Sequence, residues 1–172
     1  RRLGGVAARR VRPSVAILGC GAVGEALAYQ LGDHWEEARL RGRIGLWSRT
    51  RRHASRLARL LGRRWRYTRV ELLESHAEAL RASDTLLLCV SDAAVTPLAE
   101  QLAQACEDGT RSPVVLHTNG LLGADCMGAL RRRGLSVGRL HPFLAVAAAS
   151  PFVPSGSSFG IEGDARALRS AR

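Results

Sequence analysis

Short, wholly apolar runs alternate in this chain with segments whose apolar residues recur every three or four positions. The apolar runs predict strands at 14–19, 43–48, 65–70, 84–90, 113–118, 135–141 and 158–162. The periodic segments predict helices at 22–31, 51–61, 72–81, 124–133 and 164–172. A further helix is predicted after residue 91, with an inner face formed by Val95, Leu98, Ala99, Leu102 and Cys106.

Strands that are apolar throughout are buried on both faces, and this indicates a parallel sheet covered by helices on each side. Right-handed crossovers then give an α/β fold, a doubly wound and mostly parallel sheet. The regular alternation is interrupted at 145–157, a stretch rich in Ala, Ser, Pro and Gly that predicts a loop. The length of 172 residues predicts one domain at 13–172, preceded by a basic amino-terminal arm at 1–12.

Composition excludes two classes of protein. Apolar residues make up 46% of the chain, well above the disordered range. The longest nearly apolar run, 143–153, is far shorter than the ~20 residues needed to cross a bilayer. The charge is one-sided: all 26 basic residues are arginine against 15 acidic residues, so the net charge of +11 predicts an anionic partner.

The cysteines and most histidines are predicted to carry no special chemistry. Cys20, Cys89, Cys106 and Cys126 have no C-x-x-C spacing and no signal-like segment precedes them. We interpret them as reduced, mostly buried thiols of a cytoplasmic protein. The five histidines show no metal-ligand spacing, so no metal site is predicted. The solvated histidines are predicted to be His34, His53 and His76.

A glycine-rich loop joins the first predicted strand to the first predicted helix. The residues Gly19-Cys-Gly-Ala-Val-Gly24 fit G-x-G-x-x-G in its required context. In this motif the first glycine permits a tight turn, the second lets backbone approach a pyrophosphate, and the third allows close helix packing. The predicted pyrophosphate site, next to the helix N–H groups, comprises Gly19, Cys20, Gly21, Ala22, Val23 and Gly24. The alternative is a glycine turn without a ligand.

Basic residues follow the second predicted strand, where an NAD site would place a carboxylate for the ribose 2′-hydroxyl. The segment reads Ser48-Arg-Thr-Arg-Arg52 and contains no acidic residue. Guanidinium groups bind phosphate with two parallel hydrogen bonds. We therefore predict NADP rather than NAD, with Ser48, Arg49, Thr50 and Arg52 at the 2′-phosphate. The alternative is a solvated first helical turn, although cations there oppose the helix dipole.

Further polar residues follow later strands, at the sheet edge where ligands of open α/β sheets bind. Val90 and Ser91 are predicted to contact the cofactor, although Ser91 and Asp92 also suit a helix N-cap. Thr118 and Asn119 are predicted to bond a nicotinamide amide or a substrate carbonyl. The alternative for Asn119 is a turn stabilised by its own side chain.

Four motifs carry a resemblance to known proteins. Ser48-Arg-Thr50 is similar to the Asn-Arg-Thr 2′-phosphate motif of the NADP-binding Rossmann domains of the 6-phosphogluconate dehydrogenase-like superfamily, which includes pyrroline-5-carboxylate reductase. His117-Thr-Asn-Gly120, Leu140-His-Pro-Phe143 and Phe159-Gly-Ile-Glu-Gly-Asp164 resemble bacterial Rossmann-like proteins whose dinucleotide domain precedes a helical domain of unknown function. Those proteins continue His-Pro with Leu-Gln where this chain has Phe-Leu, so the polar role of the glutamine is not expected here.

The resemblance implies a catalytic residue and a second domain. Prephenate dehydrogenases of the same superfamily have a His-Pro motif near the reacting substrate, which implies that His141 accepts a proton as hydride leaves carbon. The alternative is a histidine that bonds loop backbone. The superfamily's helical domain closes the active site and forms a homodimer, and we expect that domain to be absent from this polypeptide, which ends at Arg172.

The predicted function is that of an NADP-dependent oxidoreductase domain, which transfers hydride between nicotinamide and a small imine, keto or hydroxy compound. The alternative is a non-catalytic NADP-binding or sensing module. The charge also suggests a nucleic-acid-binding protein, but aromatic residues for stacking are only 5% of the chain and no recognised nucleic-acid motif is present.

Overall fold

The computed structural model describes residues 12–107, 112–147, 149 and 151–172. The predicted arm at 1–12 lies outside the described residues, apart from Arg12. The strands are β1 (Ser14–Leu18), β2 (Gly42–Trp47), β3 (Thr68–Leu72), β4 (Thr85–Leu88), β5 (Val114–His117), β6 (Ser136–Pro142) and β7 (Phe159–Gly163). The helices are α1 (Ala22–Glu37), α2 (Arg51–Leu61), α3 (His76–Ala82), α4 (Asp92–Gln104), α5 (Gly128–Arg132) and α6 (Ala165–Ser170), and a 3₁₀ turn (Ala124–Met127) precedes α5. Strands and helices alternate from β1 to β6, as the apolar pattern predicts, and β7 follows β6 after the predicted loop at 145–157.

In the described chain the strands form one sheet in the order β3-β2-β1-β4-β5-β6-β7. All neighbouring pairs are parallel except β6 and β7, which are antiparallel. The order reverses between β1 and β4, so a crevice opens there at the carboxyl ends of the strands. This arrangement confirms the predicted fold class, a doubly wound and mostly parallel sheet.

Two apolar cores cover the two faces of the sheet, as expected for buried parallel strands. Ala16 and Leu18 of β1 pack with α3, α4 and α5, through residues such as Leu80, Leu102 and Leu130. On the other face, Ile17 packs with α1, α2 and α6. Neighbouring residues of one strand therefore enter opposite cores, because side chains alternate along a strand.

Several predicted boundaries are wrong, and each shift has a local cause. Helix α1 continues past Leu31 because Trp35 is buried in the core. It ends at Glu37, two residues before Arg39, whose φ of +52° cannot continue a helix. Strand β3 continues to Leu72, which is in register with Leu46 of β2. Helix α3 therefore begins only at His76, after Ser75, whose hydroxyl accepts a hydrogen bond from the N–H of Glu78.

The predicted loop at 145–157 contains no helix in its described part, and residues 148 and 150 lie outside it. Among the described residues, no helix combines the length and the apolar character that a membrane span requires. The predicted solvation of His76 is wrong. Its ring lies against Trp47 with centroids 4.5 Å apart, and burial lowers its pKa.

Candidate dinucleotide-binding site

The glycine loop has the geometry that a pyrophosphate cradle requires. Gly19 has φ +110°, and a Cβ there would overlap the carbonyl group of Cys89. A Cβ on Gly24 would overlap the carbonyl oxygen of Gly19, so α1 can approach β1 only with glycine at this position. A Cβ on Gly21 would meet nothing within 4 Å and would project into open space. These three environments match the turn, packing and ligand-approach roles of the motif.

The start of α1 presents backbone donors beside this loop. Gly21 has extended backbone and its carbonyl accepts the first helical bond from the N–H of Glu25, at 2.8 Å. The preceding N–H groups, on residues 22–24, have no partner inside the helix. Together with the helix dipole, such groups form a site for an anion. The loop and the helix start therefore fit a pyrophosphate.

A cleft of about 360 Å³ opens over the loop, at the point where the strand order reverses. Eight of the thirteen residues predicted to bind the cofactor line it, namely Gly19, Cys20, Gly21, Ser48, Arg49, Thr50, Val90 and Ser91. The other five, which are Ala22, Val23, Gly24, Arg52 and Thr118, do not. The cleft thus brings together three loops that are separated by up to 70 residues of sequence, a juxtaposition that fits an extended dinucleotide.

The arginines after β2 divide into paired and unpaired side chains. Arg51 forms a bidentate ion pair with Glu74 and does not line the cleft. Arg49 is exposed, lines the cleft and forms no ion pair with any residue that the structure describes. Thr50 precedes α2 without capping it through its hydroxyl. Ser48, Arg49 and Thr50 therefore offer two hydroxyls and one guanidinium to a phosphate.

Ser91 occupies the N-cap position of α4, but its side chain accepts no capping hydrogen bond. The capping interpretation of its hydroxyl is therefore wrong, and the side chain lies at the cleft wall beside Val90. Thr118 is buried, and its hydroxyl donates to the carbonyl of Leu88 at 3.4 Å. The hydroxyl of Ser91 is thus open to a ligand, whereas that of Thr118 is used inside the fold.

Two thiols line the cleft, and both are protonated at neutral pH. Burial, with a smaller contribution from the Glu25 carboxylate, raises the pKa of Cys20 to about 12, and Arg56 offsets part of this rise. Burial also raises the pKa of Cys89 to about 12. A thiol acts as a nucleophile only as thiolate, so these two cysteines line the cleft but are not reactive groups. The four cysteines are free, and Cys106 and Cys126 are half-buried rather than buried.

Sequence reasoning missed seven lining residues, and they come from three places in the fold. Trp47 ends β2 and Cys89 directly follows β4, and His53 lies in the first turn of α2. The remaining four lie on one side of α4, namely Ala94, Pro97, Leu98 and Gln101. Their spacing of three and four residues is a helical face, a signal that could have been found once α4 was placed beside the loop.

A second group of predicted residues lies at the ends of β5 and β6. The Nδ1 atom of His141 is 3.1 Å from the carbonyl oxygen of Thr118. Because a carbonyl oxygen only accepts, Nδ1 carries the hydrogen and Nε2 of the neutral ring is left as a proton acceptor. Gly120 packs against this ring, since a Cβ on Gly120 would lie 2.7 Å from Nε2. The backbone bond of the alternative interpretation is thus present, and no described residue forms a hydrogen bond with Nε2.

The side chain of Asn119 holds the loop after β5. Its Oδ1 accepts hydrogen bonds from the N–H groups of Leu121 and Leu122, both at 2.7 Å. Its Nδ2 donates to Asp92 at the start of α4. The turn-stabilising alternative is therefore realised, and one hydrogen of Nδ2 is left over.

An ion pair supports the same loop from the sheet edge. Arg139 and Glu162 are in register on β6 and β7, with Nη2 and Oε2 3.0 Å apart. Nη1 of Arg139 donates to the carbonyl of Gly120 at 3.3 Å, and Oε1 of Glu162 accepts a hydrogen bond from the N–H of Ala124 at 3.2 Å. His117 is buried behind them, and burial lowers its pKa. Among the described residues, no group of three metal-ligating side chains is present.

Comparison with solved structures gives the same fold in three redox enzymes. An imine reductase from Bacillus cereus has a TM-score of 0.67 at 19% identity, over 92% of this chain and 50% of its own. A Synechocystis arogenate dehydrogenase has a TM-score of 0.63 at 17% identity, over 92% and 55%. A reductive aminase from Aspergillus terreus, in complex with NADPH and ethyl-5-oxohexanoate, has a TM-score of 0.56 at 21% identity, over 78% and 42%. The chain thus spans about half the length of these structures.

Comparison with curated proteins gives no match. A family model does match, over residues 14–115, which is more than half of the 172 residues. The matched range contains the glycine loop and the Ser48–Thr50 segment, which are the basis of the NADP prediction, and the three later motifs lie beyond residue 115. The chain therefore belongs to the family described as NADP oxidoreductase, coenzyme F420-dependent, and this membership confirms NADP as the cofactor.

Proposed function

We propose that this chain is the cofactor-binding part of an NADP-dependent oxidoreductase that transfers hydride between nicotinamide and a small imine, keto or hydroxy compound. The observation that carries the proposal is the cleft at the switch point of the sheet. It is lined by the glycine loop and by Arg49, which has no ion-pair partner among the described residues. The family match supports the same function. The solved neighbours named above include an imine reductase and a reductive aminase.

In this proposal three segments hold NADP. The N–H groups of residues 22–24 and the open backbone at Gly21 bind the pyrophosphate. The side chains of Ser48, Arg49 and Thr50 bind the 2′-phosphate, and Arg52 adds positive charge from the first turn of α2. Val90 and Ser91, which line the same cleft, would contact the cofactor on the side of β4. When bound, the nicotinamide supplies or accepts the hydride.

His141 is the proposed proton acceptor. Its Nδ1 is held by the Thr118 carbonyl, so Nε2 is the atom that takes a proton from a substrate hydroxyl, or returns one to a carbonyl or imine. β6 lies three strands from β1, roughly 14 Å at the usual strand spacing. That separation suits a dinucleotide that binds at β1 and reacts near β6. Asn119 positions the adjoining loop, and its remaining Nδ2 hydrogen is proposed to contact the substrate or the nicotinamide amide.

Cofactor titration tests the first half of this proposal. Trp47 lines the cleft, so binding of NADPH or NADH is followed by quenching of tryptophan fluorescence, with calorimetry as an independent measurement. We expect NADPH to bind at least tenfold more tightly than NADH, since one charge-assisted contact contributes about 1.5–3 kcal/mol. Equal affinities would contradict the 2′-phosphate site.

Turnover tests the second half. Oxidation of NADPH is measured with a panel of small imines and ketones, with the unmodified chain and with His141→Asn. We expect His141→Asn to lose turnover and to keep its NADPH affinity. Retained turnover would remove His141 from the mechanism. NADPH binding without turnover on any substrate would favour the non-catalytic module.

The family description supports a second hydride partner. It names coenzyme F420, a deazaflavin, so hydride exchange between NADP and a deazaflavin is the second candidate reaction. Both reactions use the same cleft and differ in what lies opposite the nicotinamide. Reduction of F420 by NADPH, followed by its absorbance, distinguishes the two. A homodimer formed through a helical domain stays a prediction of the resemblance.

A further inference from the structure

A second concave surface lies at the opposite edge of the sheet, where β1, β2 and β3 begin. It encloses about 560 Å³ and is lined by five arginines, namely Arg12, Arg41, Arg43, Arg66 and Arg69. It shares no lining residue with the dinucleotide cleft. This surface, hereafter the arginine cleft, is therefore a separate feature of the molecule.

Strand register places two of these arginines side by side on one face of the sheet. Arg43 of β2 is in register with Arg69 of β3, and these two residues are called the inner row. Arg12 and Arg41 lie just before β1 and β2, and Arg66 lies just before β3. These three side chains line the same cleft as the inner row.

One carboxylate, that of Glu71, pairs with both arginines of the inner row. Glu71 lies 3.2 Å from Nη1 of Arg43 and 3.6 Å from Nε of Arg69, so one acid serves both residues of the inner row. Arg43 also donates to the carbonyl of Ala82 at the end of α3. Asp84, on the β4 side, accepts the hydroxyl hydrogen of Ser14 at 2.7 Å.

Glu36, another carboxylate near this cleft, forms no ion pair with Arg12, Arg41 or Arg66 in the described part of the chain. Its carboxylate accepts the backbone N–H groups of Arg66 and Thr68, both at 2.9 Å, and that of Tyr67. Burial raises the pKa of Glu36, but these three donors outweigh it and hold the pKa below its ordinary value. The Glu36 carboxylate thus stabilises the turn before β3 through these hydrogen bonds.

Three guanidinium groups are left without an acid. Arg12, Arg41 and Arg66 form no ion pair with any residue in the described part of the chain. The guanidinium of Arg66 lies 5.7 Å from the ring centroid of Tyr67, which also lines the cleft. Like charges on neighbouring strands are destabilising, and a bound anion would remove that cost.

The number of donors indicates the kind of anion. Each guanidinium can hold two oxygens of a phosphate in parallel hydrogen bonds. Three such groups lining one cleft offer more paired donors than a single phosphate has oxygens. We propose that the arginine cleft binds a chain of two or three phosphates, as found in inorganic polyphosphate or at the phosphate end of a nucleotide.

The test is calorimetry of the full chain with inorganic tripolyphosphate, in the presence of saturating NADPH so that the dinucleotide cleft is filled. We expect binding that weakens as salt is added, because ions screen exposed charges. Arg41→Gln should weaken it about tenfold, the loss expected for one charge-assisted contact. The triple variant Arg12→Gln/Arg41→Gln/Arg66→Gln should weaken it at least a hundredfold.

A charge-matched control separates a built site from overall charge. Arg59→Gln/Arg132→Gln/Arg166→Gln removes three exposed arginines outside the arginine cleft and should change affinity less than threefold. Equal losses in the two triple variants, or no binding by the unmodified chain, would overturn the proposal. All substituted side chains are exposed, and unchanged NADPH affinity and melting temperature verify that each variant is folded.

Two further ligands identify the source of the phosphates. Adenosine triphosphate that binds more tightly than tripolyphosphate, with the gain lost in Tyr67→Leu, would assign the site to a nucleotide. Equal affinities would assign it to polyphosphate. A single-stranded oligonucleotide that binds the arginine cleft when tripolyphosphate does not would overturn the proposal in favour of a nucleic-acid surface.

Discussion

Removal of the Arg49 guanidinium gives the sharpest test of cofactor selection. Arg49 lines the cleft beside Ser48 and Thr50, is exposed, and forms no ion pair with a described residue. Arg49→Ala therefore removes no intramolecular ion pair, and the free energy of unfolding should change by less than about 0.5 kcal/mol. A hydrogen bond to a charged group contributes about 1.5–3 kcal/mol. NADPH affinity should fall by about 10- to 150-fold, since 1.4 kcal/mol is tenfold.

NADH carries a hydroxyl where NADPH carries the 2′-phosphate, so its affinity should stay within about threefold of the original value. Both dissociation constants are measured by tryptophan quenching at one fixed ionic strength near 0.15 M, because added salt screens an exposed guanidinium. Arg59→Ala, on α2 outside the cleft, is the matched control and should change neither constant. Equal weakening of NADPH and NADH by Arg49→Ala would show that Arg49 does not read the 2′-phosphate, and an unchanged NADPH affinity would refute its contact with the cofactor.

Three other predictions follow from local geometry. Gly24→Ala should lower the free energy of unfolding by about 1–3 kcal/mol or more, because its Cβ would overlap the loop backbone. Gly21→Ala should leave that free energy unchanged and weaken NADPH binding at least tenfold. Chemical denaturation measures the first effect and fluorescence titration the second, and the reverse pattern would contradict the assigned roles. Arg39→Gly should raise the free energy of unfolding by about 1 kcal/mol, since a φ of +52° is unfavourable for a residue with a Cβ; a similar gain in Arg39→Ala would disprove this cause. Burial lowers the pKa of His117 and His76 below the ordinary 6.5, so the unfolded chain binds more protons in acid. The free energy of unfolding should therefore fall as the pH drops below about 6.5, by up to about 1.4 kcal/mol per pH unit for each group. His117→Phe should flatten this slope in denaturation curves measured from pH 5 to 8, and an unchanged slope would count against His117.

Much of the fold was predictable because its signals are local. The apolar runs at β1, β4 and β5 are short and continuous, and the periodic segments between them read as helices. Boundaries were less predictable where a distant contact decided them. Leu72 continues β3 because Leu46 of β2 pairs with it, and α1 reaches Trp35 because the core accepts that ring. The antiparallel direction of β7 depends on register with β6, which no local pattern encodes.

Some residues of the candidate site could likewise be predicted from local sequence, and others depend on distant contacts. Gly19, Gly21 and Gly24 are predictable because each role belongs to one turn of backbone, and the structure gives each of them a matching environment. The arginines after β2 could not be sorted from sequence. Arg51 is paired only because Glu74, 23 residues later, lies beside it. Cleft residues such as His53 and Gln101 belong to helices that meet only after the sheet forms.

By itself, the sequence determined the order of the elements, the glycine loop and the preference for a 2′-phosphate, since each depends on residues within one strand–turn–helix unit. Only the tertiary structure decided which basic side chains are available. The parallel pairing of β2 with β3 sets Arg43 beside Arg69, and the strand starts bring Arg12, Arg41 and Arg66 to the same cleft. The described arginines therefore include ion-paired side chains, Arg49 in the dinucleotide cleft and a cluster at the opposite edge of the sheet. The physical reason is that periodicity reports burial, whereas charge balance depends on strand register across the sheet.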